Sequence, residues 1–166
     1  MGKLTEKEKL RKEKIAFREA TKKDKAKKKK QFSRSALIKE ADRVFSLYIR
    51  GRDAWKPCCT CGAVWQENFQ AGHFMSRRHY HTRWCKINCH AQCPKCNLWG
   101  AGEQYKHSLY IDKTYWMYTA RTIELSSMST DKITDDEILS TIQLYYQLCF
   151  KEGIDYKPKK QYYEQV

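Results

Sequence analysis

The side chains able to do chemistry crowd into one stretch, Cys58 to Asn97, which holds seven of the eight cysteines and four of the five histidines. Two Cys-x-x-Cys pairs bracket it, Cys58/Cys61 and Cys93/Cys96. Such a turn presents two sulfurs to one ion, and two turns complete the four-thiolate tetrahedron that zinc takes in structural sites. The first pair leaves one alternative register, in which Cys59 replaces Cys58 in a tighter Cys-x-Cys. Cys85 and Cys89 lie close by as competitors, and their plainer role is that of free thiols or strand residues. The span between the pairs exceeds that of a simple zinc ribbon, so a segment is inserted between the knuckles. It carries His73 and Asn88, and Asn97 follows Cys96 directly. The cysteines would hold the shape, leaving His73, Asn88 and Asn97 for chemistry.

These residues need elements to place them. Gln70-Ala71-Gly72-His73-Phe74 reads as the end of a strand, and Arg83 to Ile87 as a loop or second strand leading to Asn88. A strand ending in His, a hairpin carrying Asn, and a Cys knuckle running into a helix is the layout of a ββα-metal motif. Upstream, Leu37, Ile38, Ala41, Val44, Phe45, Tyr48 and Ile49 recur at three- and four-residue spacing, one face of an amphipathic helix. Ser33 or Ser35 could cap it, and Gly51-Arg52-Asp53 could end it. Arg43, Arg50 and Arg52 lie off that stripe, facing either phosphate or solvent. Downstream, a helix is expected from Glu103 to about Leu125, broken near Asp112-Lys113. Thr134-Asp135-Asp136-Glu137 is a capping box opening a helix that turns Ile138, Ile142, Tyr145, Tyr146 and Cys149 inward, with Gly153 at its end.

The expected fold is therefore a small α+β one: a zinc-stapled ββα-metal core flanked by helices, with a basic N-terminal arm. Three regions are expected: the arm at 1–34, helix plus core at 35–112, and a C-terminal helical region with a loose tail at 113–166. Formal net charge is +14 over 166 residues, with a pI near 9.4 and a mean hydropathy of -0.84. Such an excess calls for a polyanionic partner, nucleic acid first. Residues 1–34 hold 15 Lys/Arg against 5 Asp/Glu, so ten of the fourteen excess charges sit in the arm. Its run Lys27, Lys28, Lys29 and Lys30 reads as a DNA-tracking segment, or otherwise as a solvated tail. No run approaches the roughly 18–20 apolar residues of a membrane span. No apolar leader precedes the arm, so a reducing, intracellular setting is expected, the host cytoplasm for a phage-encoded chain.

The spacing of His73, Asn88 and Cys93-x-x-Cys96-Asn97 resembles the HNH (His-Me finger) endonucleases. The run Phe45 to Cys61, the Ala71-Gly72-His73 turn and Asn88-x-His90-Ala91-Gln92-Cys93-x-x-Cys96-Asn97 with Gly102 resemble more narrowly the NinG (Rap) family of phage recombination proteins. The likeness covers roughly residues 45 to 110. It implies a metal-dependent endonuclease that cuts branched recombination intermediates, Holliday junctions or D-loops, by phosphodiester hydrolysis. It implies His73 as general base, Asn88 as a brace that aims it, and Asn97 as an oxygen ligand for a catalytic Mg²⁺ or Mn²⁺. Many HNH enzymes carry an acidic metal ligand just before that His, where this chain has Gly72. His90 is then the second candidate ligand, ahead of His79 and His81.

Arg77, Arg78, Arg83 and Lys86 cluster between His73 and Asn88 and suit phosphate oxygens. Trp65, Tyr80 and Trp84 could stack on unpaired bases, or pack in the hairpin. The partners expected are branched DNA, phage or host recombination proteins, and a second copy of the chain if both strands of a junction are cut. The other class this sequence admits is a non-catalytic zinc-dependent DNA-binding scaffold, which Gly72 favours.

Overall fold

A computed structural model of the chain describes residues 11–19, 32–159 and 162. The chain divides into two compact units, Met1–Ala36 and Leu37–Val166. In the first, residues 11–19 form a helix, α1. Ser33 caps the next helix by accepting the Ala36 N–H at 3.2 Å.

That helix, α2 (Arg34–Arg52), buries Leu37, Ala41, Val44, Phe45, Tyr48 and Ile49 of the stripe its spacing predicts, and leaves Ile38 half-buried at its edge. Gly51 lies inside its last turn because Ile154 packs there; a Cβ at 51 would sit 2.5 Å from the Ile154 Cδ1. After a loop holding the first cysteine pair come β1 (Gln70–His73), the short α3 (Tyr80–Arg83) and β2 (Cys89–Gln92). The strands pair antiparallel, with Ala71 opposite Ala91, Gly72 opposite His90 and His73 opposite Cys89. The chain then enters a π-helical turn (Lys95–Trp99), α4 (Gln104–Thr114), α5 (Thr119–Ser127) and α6 (Asp135–Lys151). This is a small α+β fold, mostly helical around a two-stranded sheet.

Two four-residue strands cannot hold a sheet by themselves. The outer edge of β2 is closed by other elements. Arg52 donates to the Cys89 carbonyl at 2.8 Å, Asp53 accepts the Ala91 N–H at 3.1 Å, and the Cys59 N–H reaches the Ala91 carbonyl at 3.2 Å. The end of α2 and the loop after it thus complete hydrogen bonds that an exposed edge would leave open.

The helix after Glu103 breaks at Tyr115–Tyr118, later than the sequence suggests. Asp112 is no breaker: its carboxylate accepts the Ala120 N–H at 2.8 Å and so caps α5. At α6 the capping box forms, with Glu137 N–H to Thr134 Oγ1 at 3.2 Å and Thr134 N–H to Glu137 at 2.6 Å. Gly153, at φ +66°, ends it. Tyr145 packs edge-on against Phe45 at 4.9 Å, joining α6 to α2. Among the described residues no helix is long and apolar enough to cross a membrane.

One buried carboxylate joins three elements. Glu40, on the core side of α2, accepts from Tyr146 at 2.7 Å and pairs with Arg43 at 2.5 Å and Lys159 at 2.6 Å. Burial alone would raise its pKa, but these partners outweigh it and hold Glu40 at about 2. Its contribution is thus present above the ordinary 4.5 and lost as pH falls towards 2. Glu40→Gln should destabilise the fold by about 1–3 kcal/mol at neutral pH, its two cationic partners being partly exposed. It should also remove that part of the acid sensitivity, as read by denaturant unfolding from pH 7 down to 2.

Candidate functional site

The two knuckles meet. The sulfurs of Cys58, Cys61, Cys93 and Cys96 all lie within 4.8 Å of one another, and Cys61 and Cys93 are 3.7 Å apart. A tetrahedral zinc with bonds near 2.3 Å would space its sulfurs by about 3.8 Å, so this cluster could hold one structural metal such as zinc. Local turns set the geometry. Gly62, at φ +71°, lets its N–H reach the Cys58 carbonyl, and the N–H groups of Cys96 and Asn97 both donate to the Cys93 carbonyl. The Cys93 N–H points at the Cys58 sulfur at 3.4 Å. Burial would raise the Cys58 thiol, but Thr60 and this N–H pull it down to about 6, whereas burial pushes Cys96 up to about 12. Four crowded thiols cannot all ionise without a cation among them, which zinc would supply.

The open register resolves to Cys58. Cys59 is buried beside β2, and burial pushes its thiol and that of Cys89 upward. Neither joins the cluster.

Beside the centre lies a cleft of about 710 Å³, lined among others by His73, Asn97, Arg77, Arg50, Asp42 and Glu67. His73 ends β1, half-buried against Phe45 at 5.7 Å. Its Nε2 lies 2.9 Å from the Arg83 carbonyl, which can only accept, so Nε2 carries the ring proton. Nδ1 therefore keeps its lone pair, with the Cys89 sulfur 3.6 Å away. Burial is the largest influence on this ring and pushes its pKa below 6.5. The Arg83 carbonyl opposes the shift and the charge of Arg77 adds to it. Burial thus favours the neutral imidazole.

Asn88 is fully buried outside the cleft. Its Oδ1 accepts the Met75 N–H at 2.7 Å, and its Nδ2 donates to the carbonyls of Met75 at 3.0 Å and Thr82 at 2.9 Å. It braces the loop that delivers the Arg83 carbonyl to His73. Asn97 lines the cleft and donates Nδ2 to Gln70 at 2.6 Å, which leaves its Oδ1 as an acceptor.

His90 is not brought to the cleft. It belongs with Gly72, on the other strand face from His73. Its ring meets His107 at 3.0 Å and Tyr115 at 2.9 Å. Burial drives both histidines well down, His90 to about 3 and His107 to about 4. His79 and His81 are held by backbone carbonyls of Ser127 and Asp131.

The arginines divide. Arg77 lines the cleft. Arg83 closes its fork on Asp42 at 2.9 and 2.6 Å, and Asp42 also takes the Trp84 indole at 2.9 Å. Arg78 and Lys86 are exposed away from the cleft lining. Lys27, Lys28, Lys29 and Lys30 lie outside the described residues. Trp84 is buried and Trp65 packs on Phe69 at 5.1 Å. Tyr80 stays half-buried against Trp84 at 6.1 Å. These three aromatics serve packing, while Trp55, Trp99 and Trp116 are the exposed indoles.

Two features escaped the sequence. Glu67 and Asp42 bring carboxylates to the cleft; Asp42 stands four and eight residues before Ser46 and Arg50 on one face of α2, a legible signal, whereas Glu67 sits in a loop with no period. Gly72 is required by packing, since a Cβ there would fall 1.9 Å from the Gln92 Oε1. Gln92 is itself fixed by its bond to the Gly102 carbonyl at 2.8 Å. A side chain at 72, acidic or otherwise, would have to displace the Gln92 side chain.

Fold and site together define a small α+β protein built around a candidate four-cysteine metal centre with a polar cleft beside it. The chain belongs to the NinG family: the family model described as Bacteriophage Lambda NinG protein matches residues 1–152. Protein ninG of Salmonella phage P22 is 37% identical over 120 residues, 72% of this chain and 58% of that protein. Protein ninG of Escherichia phage lambda is 37% identical over 70 residues, 42% of this chain and 34% of that protein. The chain thus spans less than two thirds of the curated relatives it matches. No solved structure matches it.

Two outcomes follow for the centre and the glycine. Purified protein should contain about one zinc per chain by atomic emission. Removal of the metal should unfold Leu37–Val166, because a structural zinc contributes about 10–16 kcal/mol against a typical domain stability of about 5–15. Cys93→Ser should do the same, read by circular dichroism. Gly72→Ala should cost about 1–3 kcal/mol, and adding Gln92→Ala should recover part of that loss in urea unfolding.

Proposed function

We propose that this protein is a metal-dependent, structure-selective DNA endonuclease of the HNH type, cutting branched recombination intermediates by phosphodiester hydrolysis. The observation that carries the proposal is the state of His73 in the cleft. Burial favours its neutral form, its Nε2 proton is committed to the Arg83 carbonyl, its Nδ1 meets only the weakly bonding Cys89 thiol at 3.6 Å, and it lines the same cleft as Asn97. A general base needs a deprotonated nitrogen held in one tautomer near the reacting water.

In this reading β1, β2 and the chain following Cys96 form a ββα-metal core. His73 Nδ1 takes a proton from water as the water oxygen bonds to phosphorus and the P–O3′ bond breaks. Asn88 acts as a positioning residue through the loop it braces. The donor chemistry of the cleft suits a hard cation, since Asn97 Oδ1 and the Glu67 carboxylate are oxygen ligands. A Mg²⁺ or Mn²⁺ held there would neutralise charge on the phosphate and the departing 3′ oxygen. The branched substrate, a homodimer and partnership with phage or host recombination proteins rest on the resemblance to NinG recombination proteins.

A non-catalytic DNA-binding scaffold is the second reading. It is favoured by Gly72, which leaves no carboxylate next to His73 on β1.

The test is cleavage of synthetic four-way junctions with Mg²⁺, Mn²⁺ or EDTA. The enzyme should nick only with metal, and His73→Ala should lower the rate by at least about 10²–10⁴-fold while zinc content and junction binding persist. Because burial lowers the His73 pKa, the rate should rise with pH and reach its plateau at a lower pH than an unperturbed histidine would give. Tight binding without nicking would establish the scaffold instead.

A further inference from the structure

Three arginines of α2 stand off its apolar stripe, and the fold uses them differently. Arg43 is committed to Glu40 and the Tyr156 carbonyl. Arg52 is committed to Asp53 and to the carbonyls of Lys86 and Cys89. Arg50 has no such assignment. Its Nε is buried without any hydrogen-bond partner, and its side chain lines the cleft that holds His73.

The Nε is closed off from solvent, so a ligand in the cleft would meet the rest of the guanidinium, a permanent charge with no ion-pair partner among the described residues, and such a charge is costly to leave uncompensated. The acidic groups nearest in sequence are already engaged: Asp42 takes Arg83 and Trp84, and Asp53 takes Arg52 and Lys56. Ser46, one turn before Arg50, and Arg77, from the loop after β1, line the same cleft. The cavity also holds the Asp42 carboxylate, engaged by Arg83, and that of Glu67, but its two guanidinium groups and hydroxyl match the non-bridging oxygens of a phosphodiester, which accept a planar fork of N–H donors.

We propose that Arg50 is a substrate-binding residue that holds a backbone phosphate of nucleic acid in the cleft beside His73. The DNA as ligand rests on the function proposed above, but the contact itself does not depend on cleavage. α2 would then serve the site twice, positioning the Arg83 loop through Asp42 and gripping the substrate through Arg50.

Binding to a synthetic four-way junction in EDTA, measured against salt concentration, separates this contact from catalysis. Arg50→Gln should raise the dissociation constant by about tenfold to a hundredfold, the range for a hydrogen bond to a charged group. It should also reduce the slope of log K against log salt by about one, since one fewer phosphate is neutralised. Arg50→Lys keeps the charge and the stem, so it should keep the slope and lose affinity several-fold for want of the fork. Unchanged affinity in either folded variant, or an affinity loss in Arg50→Gln at unchanged slope, overturns the proposal. Absence of metal-dependent nicking by the wild-type chain would defeat the nuclease reading while leaving this measurement to stand or fall independently.

Discussion

The constraint on which the rest depends is closure of the cysteine centre. Cys61 and Cys93 are separated by 32 positions and end 3.7 Å apart, so the centre fastens both ends of the segment that carries β1, α3 and β2. That segment has only eight strand residues and could not order itself from so few ladder bonds. With its ends fastened, the remaining entropy is small enough for local bonds to settle. The Asn88 amide does most of this settling, with three bonds to loop backbone in a fully buried setting.

The second layer of control is the allocation of charge. A chain with 33 basic residues and 19 acidic ones still places Glu40, Asp42 and Asp53 within the globular unit, and each takes an arginine. These pairs are structural in different ways. Asp53 with Arg52 seals the edge of β2; Asp42 with Arg83 fixes the carbonyl that orients His73; Glu40 unites α2, α6 and the chain near Lys159. Of the arginines outside these pairs, Arg50 and Arg77 line the cleft.

The state of His73 follows from these two layers. Its neutral form comes from burial, and its tautomer from the Arg83 carbonyl, which is held in place by Asp42 and Asn88. Gly72 belongs to the same packing. Gln92 folds over that position to reach Gly102, so the strand that presents the imidazole has no room for a neighbouring side chain. The missing carboxylate is thereby a matter of space as much as of chemistry.

Much of this was legible in the sequence, because it depends on short-range patterns. The knuckle pairs, the α2 stripe, the Thr134–Glu137 box and the Gly153 stop each involve residues a few positions apart, where spacing alone dictates which groups meet. The brace role of Asn88 came from the family resemblance and not from spacing. Tertiary structure decided what spacing cannot encode. His90 and His73 sit on strands of one sheet, yet strand alternation and register send them to opposite faces, one into a cluster with His107 and Tyr115. Arg43, Arg50 and Arg52 of α2 look alike in the sequence and differ because distant carbonyls, one of them on β2, claim Arg43 and Arg52 and leave Arg50. The break before α5 moved for a similar reason: Asp112 gained a partner eight residues on. Each of these outcomes depends on a long-range partner, and a linear pattern carries no information about which partner arrives.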